Sequence, residues 1–75
     1  MGRRITYQID LDERGEFKAT IYEADDHTLA EVDTEDLAFM IEHQGVRHAR
    51  DYHGVREYLL SLNVLDMSDT FQICG

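Results

Sequence analysis

Apolar and polar residues alternate strictly over residues 4 to 11, with Ile5, Tyr7, Ile9 and Leu11 on one side and Thr6, Gln8 and Asp10 on the other. A period of two marks a strand with one buried face. Asp12-Glu13-Arg14-Gly15 follows as a polar turn, with glycine where a hairpin loop often needs positive φ. Alternation then resumes, Phe17, Ala19 and Ile21 against Lys18, Thr20 and Tyr22, so the first 23 residues are expected to form a hairpin. A second polar turn, Asp25-Asp26-His27, leads to a short third strand over residues 28 to 33. There Ala30 and Val32 are expected to point inward and Glu31 and Asp33 outward.

The period then lengthens to that of a helix. Asp33 or Thr34 is a good N-cap, and Glu35 and Asp36 sit in the first turn, where the helix dipole favours negative charge. Leu37, Met40, Ile41 and Gln44 form the expected buried stripe of a helix over residues 34 to 44. Gly45 followed by Val46 reads as a left-handed C-cap with its hydrophobic contact. Asp51 can cap a second helix running to about Leu62, with Val55, Leu59 and Leu62 on its apolar face and Tyr58 beside it. Asn63-Val64 ends it by the same device. Gly54 in its first turn is read as a weak point, costing up to about 1 kcal/mol relative to alanine. In the tail, Phe71 and Ile73 alternate with Thr70, Gln72 and Cys74, a pattern compatible with either a strand on the sheet edge or a frayed end.

These elements predict an α+β fold, a small antiparallel sheet of three or four strands packed against two helices, as one compact domain over residues 1–75. Leu37, Ile41, Val55 and Leu59 are expected to share a core with Ile5, Ile9, Phe17 and Ile21. A domain this small buries only roughly 60 to 65% of its unfolded surface, which leaves a narrow stability margin and little room for a deep cleft.

Charge changes the picture more than any motif does. Sixteen acidic residues against seven basic ones give a formal charge of −9, which repels nucleic acid and anionic membranes and attracts basic partners. Half of those carboxylates, Glu23, Asp25, Asp26, Glu31, Asp33, Glu35, Asp36 and Glu42, fall in residues 23 to 42, a stretch without Lys or Arg. The lone Cys74 cannot form an internal disulfide, and no apolar run has the length of a signal-peptide core or a membrane span, so a cytoplasmic protein is expected.

Candidate chemistry is sparse. His43, His48 and His53 recur every five residues, but they fall on a helix end, a connector and a helix start, a spacing that does not converge on a metal. Neither Asp25-Asp26-His27 nor the pair Asp66 and Asp69 has the alternating acidic pattern of a calcium loop, and both are read as solvated turn carboxylates. Cys74, next to the last residue of the sequence, lacks a surrounding shell to tune its thiol for nucleophilic work. No catalytic residue, metal or cofactor is assigned. Tyr22 stands apart: it falls on the outer face of the hairpin beside Glu23, as an interface anchor or as a cross-strand neighbour of Thr6 or Gln8.

Asp12 to Phe17, with the spacing D-x-x-G-x-F, followed by a strand and an acidic helix start over Asp33 to Ala38, resembles the layout of HicB-type antitoxins over about half the chain. The family's Pro-Asp-Leu-Pro-Gly-Cys segment is missing, so no function is carried over. In general character the chain is similar to the small acidic proteins of phages and mobile elements, many anti-CRISPR proteins among them.

The expected function is therefore that of a non-enzymatic acidic inhibitor or regulator. It would bind the basic surface of another protein, a nucleic-acid-binding groove above all, through Tyr22, Glu23, Asp25, Asp26, Glu31, Asp33, Glu35 and Asp36. The competing expectation is a homodimeric or larger structural or adaptor module in which an edge strand or helix face pairs with a copy of itself and acidity serves solubility.

Overall fold

The computed structural model describes residues 2–24 and 27–75. Its elements follow in the order β1 (Arg4–Leu11), β2 (Phe17–Glu23), β3 (Thr28–Asp33), α1 (Thr34–His43), α2 (Tyr52–Ser61) and β4 (Thr70–Cys74). The strands form one sheet in the order β3-β2-β1-β4, making a small α+β fold with both helices on one face of a four-stranded sheet. β1, β2 and β3 are antiparallel neighbours, whereas β4 runs parallel to β1, so the sheet is mixed. Direction follows from connection: the two helices between β3 and β4 carry the chain back along the sheet, so β4 starts at the end where β1 starts.

Hairpin register pairs Tyr7 with Ile21 and Ile9 with Ala19, which places the two alternating apolar sets on one face. Ile5, Tyr7, Ala19, Ile21, Val32 and Phe71 are buried there against Met40, Val46, Val55, Leu59 and Leu65. β3 carries an extra residue, Leu29, where its register against Ile21 and Tyr22 shifts, and Leu29 packs against the core. Thr6 is buried on the opposite face, its hydroxyl accepting a hydrogen bond from the Gln72 side chain at 2.9 Å.

Several positions expected in the core lie outside it. Ile41 is 43% exposed and Gln44 is exposed, because α1 lies over β2 and β3 with only Met40 fully turned to the sheet and Leu37 half-buried. α2 packs on β4 and does not cover the flank of α1 that holds Ile41. Leu11 is 69% exposed at the open end of the hairpin, and Leu62 is exposed where the chain leaves α2. Ile9 and Phe17 reach the core only partly.

Both helices end as their sequence implies. Gly45 at φ 74° lets Val46 turn back so that its N–H reaches the Met40 carbonyl at 3.3 Å, and Asn63 at φ 61° lets the Val64 N–H reach that of Leu59 at 3.1 Å. Gly54 has a different role from the weak point expected of it. A Cβ there would lie 2.6 Å from the Asp51 carboxylate and 3.1 Å from the Val46 Cα, so glycine is what lets the cap and the connector close on the start of α2. The Asp51 carboxylate accepts from the Arg47 and Gly54 N–H groups at 2.9 and 3.2 Å, and these bonds hold it below the usual carboxylate range.

Tyr7 is fully buried beneath the helices, edge-on to Phe71 with ring centroids 6.4 Å apart, and its hydroxyl finds no hydrogen-bond partner among the described residues. Burial, and secondarily the charge of Asp36, pushes the phenol up to about 12. The buried hydroxyl without a partner is a cost at neutral pH, and with the folded pKa above the unfolded value of about 10 stability falls further as pH rises from about 10 through the folded value. Tyr7→Phe is therefore expected to raise the neutral-pH stability by roughly 1 kcal/mol and to remove this part of the alkaline loss. Thermal melts at neutral and alkaline pH check this, and a lower neutral-pH midpoint in the variant contradicts it.

Candidate protein-binding surface

The acidic residues divide between the two ends of β3. At the end where β3 starts, Glu23 is opposite Ile5 at the core-side margin of the sheet, and its carboxylate is 3.1 Å from the Arg3 guanidinium. The same guanidinium donates to Asp69 Oδ2 at 2.8 Å and to the Val64 carbonyl at 3.3 Å. Asp69 also accepts from the backbone N–H of Arg3 at 2.7 Å and of Asp66 at 2.9 Å. This corrects the reading of Asp69 as a solvated turn carboxylate: its side chain is 2% exposed and every part of it is hydrogen-bonded inward. Glu23, one of the expected partner-binding residues, is thereby committed to an internal ion pair.

The Arg3 guanidinium and the backbone donors of Arg3 and Asp66 outweigh burial and hold the Asp69 carboxyl down at about 2. Arg3 is raised in turn, first by its hydrogen bond to Asp69 and then by that to Glu23. For a carboxyl depressed in the fold, the stabilisation is complete above the unfolded pKa of about 4 and disappears as pH falls through the folded value.

At the other end of β3 the acids gather without comparable neutralisation. Glu31 and Asp33 occupy alternate positions on the sheet face away from the helices, and both are exposed. Register sets Lys18 directly across from Asp33 on one side and from Asp10 on the other, and its ammonium is 3.9 Å from Glu31. With both side chains more than half exposed, that pair contributes little to stability. Asp33 then turns the chain into α1 by a capping box: its carboxylate accepts from the Asp36 N–H at 2.8 Å, and the Asp36 carboxylate accepts from the Asp33 N–H at 3.2 Å. Glu35 is exposed in the same first turn.

The β1–β2 turn comes to this end as well. Asp12 Oδ1 accepts from the N–H groups of Arg14 and Glu16 at 2.8 and 2.9 Å, Gly15 takes φ 78°, and Thr34 Oγ1 donates to the Phe17 carbonyl at 3.3 Å, tying α1 to the hairpin. Asp12, Glu16, Asp33 and Glu35 consequently line one open cleft with Phe17, Lys18 and Thr34. The sequence reading missed Asp10, Asp12 and Glu16. Counting hairpin register from Gly15 was the available signal, since it sets Asp10 against Lys18 and the loop beside the helix start.

Of the other expected partner-binding residues, Tyr22 is half-buried on the same sheet face, directly opposite Thr6, with Gln72 next across the sheet. Asp25 and Asp26 lie outside the described residues. How Asp25 and Asp26 stand to the rest is therefore not described. Glu31, Asp33, Glu35 and Asp36 come together, and Glu23 is apart from them.

Among the described residues no group of three or more His, Cys, Asp or Glu is placed to hold a metal ion, and no helix is long and apolar enough to cross a membrane. The His43 ring packs on Phe39 with centroids 5.1 Å apart, and His48 Nδ1 accepts from the Arg50 N–H at 3.2 Å. Comparison of the chain with protein-family models, curated proteins and solved structures finds no match.

Asp69→Asn is expected to lower the thermal midpoint at neutral pH by on the order of 10 °C, because it leaves the Arg3 guanidinium and two backbone donors facing a neutral amide. The wild-type advantage should shrink as pH falls from about 4 towards 2. Melts of both proteins over that range read it directly, and a gap independent of pH contradicts the assignment.

Proposed function

We propose that the protein is a non-enzymatic regulator whose acidic end docks on a basic surface of another protein, an inhibitor occupying a site built for nucleic-acid phosphates. The supporting observation is the crowding of Asp10, Asp12, Glu16, Glu31, Asp33, Glu35 and Asp36 onto the hairpin-turn end of the sheet and the start of α1, with Lys18 and Arg14 as the nearby cations. The carboxylates project from strand, turn and helix, so they present charge at several depths and spacings, as a folded phosphate backbone does. Arg and Lys side chains that accept phosphate oxygens accept carboxylates by the same charge-assisted hydrogen bonds. Inhibitors of nucleic-acid-handling defence enzymes fall within this class. Tyr22 lies on the same sheet face and supplies an aromatic contact at the margin of the charge.

Glu31 and Glu35 are the positions at which to test this, since Asp33 and Asp36 also cap α1 and their loss confounds binding with stability. Glu31→Lys with Glu35→Lys is expected to abolish capture of the partner from host lysate at low salt while moving the thermal midpoint by only a few degrees. Capture by the wild-type protein should fall steeply with ionic strength and be competed by added nucleic acid. Salt-independent capture, or capture unchanged in the double variant, returns the acidic end to a solubility role.

A further inference from the structure

We propose that two copies of the protein associate through β4, pairing antiparallel about Gln72 so that their sheets join into one of eight strands. This rests on the free edge of the sheet and not on the acidic-end reading.

β4 is the outer strand beside β1, and among the described residues no strand lies on its other side. The Thr70 N–H donates to the Arg3 carbonyl at 2.8 Å, which turns the backbone groups of Thr70, Gln72 and Cys74 towards β1 and those of Phe71 and Ile73 to the open edge. The Tyr52 hydroxyl, donating to the Phe71 carbonyl at 3.1 Å, marks that outward direction. A carbonyl oxygen has a second lone pair, so the Phe71 carbonyl keeps acceptor capacity beside the Tyr52 hydroxyl.

The two edges of the sheet differ in how they treat a visitor. β3, at one edge, carries Glu31 and Asp33, the kind of charge that prevents edge-to-edge pairing. β4 reads Thr-Phe-Gln-Ile-Cys and, unlike the other three strands, has no charged residue. Beside it Tyr52 is 48% exposed, its ring 5.3 Å from that of Phe71, so an apolar contact extends past the strand on the helical side.

Two features select a second copy as the occupant. The outward groups are self-complementary: with Gln72 facing Gln72, each Phe71 exchanges its N–H and C=O with Ile73 of the other copy. Charge placement permits it, because antiparallel pairing about Gln72 sends the hairpin-turn ends of the two copies, where the acids gather, in opposite directions. Joining two copies at β4 sets the two β3 edges roughly 34 Å apart at about 4.8 Å per strand, several times the screening length of about 8 Å at physiological salt.

In this arrangement Gln72 faces its counterpart as a non-hydrogen-bonded pair with Cα atoms about 4.5 Å apart, within disulfide reach, whereas the two Cys74 residues are on the order of 14 Å apart and outside it. Sedimentation of the wild-type chain under reducing conditions is expected to show a reversible monomer–dimer equilibrium complete below about 1 mM, strengthened by salt as residual repulsion is screened. That salt response is opposite to the one expected of acidic-end binding, so the two readings fail separately. Gln72→Cys with Cys74→Ser should cross-link on mild oxidation, while Thr20→Cys with Cys74→Ser, on the same sheet face but an inner strand, should not. Circular dichroism of both confirms the fold. A wild-type chain monomeric up to that concentration, or a dimer in which the Gln72→Cys variant stays uncross-linked, overturns the proposal.

Discussion

The contact between Arg3 and Asp69 joins residues 66 positions apart, and the sheet depends on it for its fourth strand. A parallel edge strand has no hairpin to hold its register, so something else must align it. Here a buried carboxylate grips the residue before β1 by backbone and side chain together, and the next residue, Thr70, enters the ladder with its N–H on the Arg3 carbonyl. Phe71 is thereby set down on Tyr7, and with it the core gains its cover on the β4 side. Removing a carboxylate from water is costly, and the cost is offset because Asp69 is met by a guanidinium and two backbone donors.

The same guanidinium determines where the charge of the molecule resides. Arg3 takes up Glu23 as well as Asp69, so these two carboxylates are paired internally at the end of the sheet where β1 begins. At the hairpin-turn end, Lys18 has Asp10, Glu31 and Asp33 around it, and α1 adds Glu35 and Asp36. Glu23 and Asp69 are thus paired at one end, while the described acids at the other end crowd together with few cations. The molecule is flat, 15 Å through its thinnest extent, and β4 is the strand without a charged residue among the described residues.

Local chemistry made much of the fold legible. The alternation around Tyr7 and Ile21, the Asp33 cap and the left-handed helix ends at Gly45 and Asn63 are all set by neighbours close in sequence, and the structure has them where the sequence puts them. What the sequence hid was nonlocal. Nothing near Asp69 announces Arg3 as its partner, and the direction of β4 depends on how far two helices carry the chain. Ile41 has the right period for burial but lies on a flank that no neighbouring element covers. For the acidic surface the charge was legible and its grouping was not, because Asp10 joins it by cross-strand register and Asp12 through the β1–β2 turn, while Glu23 is paired with Arg3.

If the clasp between β1 and β4 holds the sheet together, Arg3 and Asp69 act as one unit, and a double-mutant cycle measures that most directly. Thermal unfolding of Arg3→Gln, Asp69→Asn and the double variant should show strong non-additivity, the double variant melting close to the worse single one, since either change alone already releases β4. Midpoint losses that simply add would mean that the two residues stabilise the protein independently, and the clasp between β1 and β4 would not be what holds the sheet together.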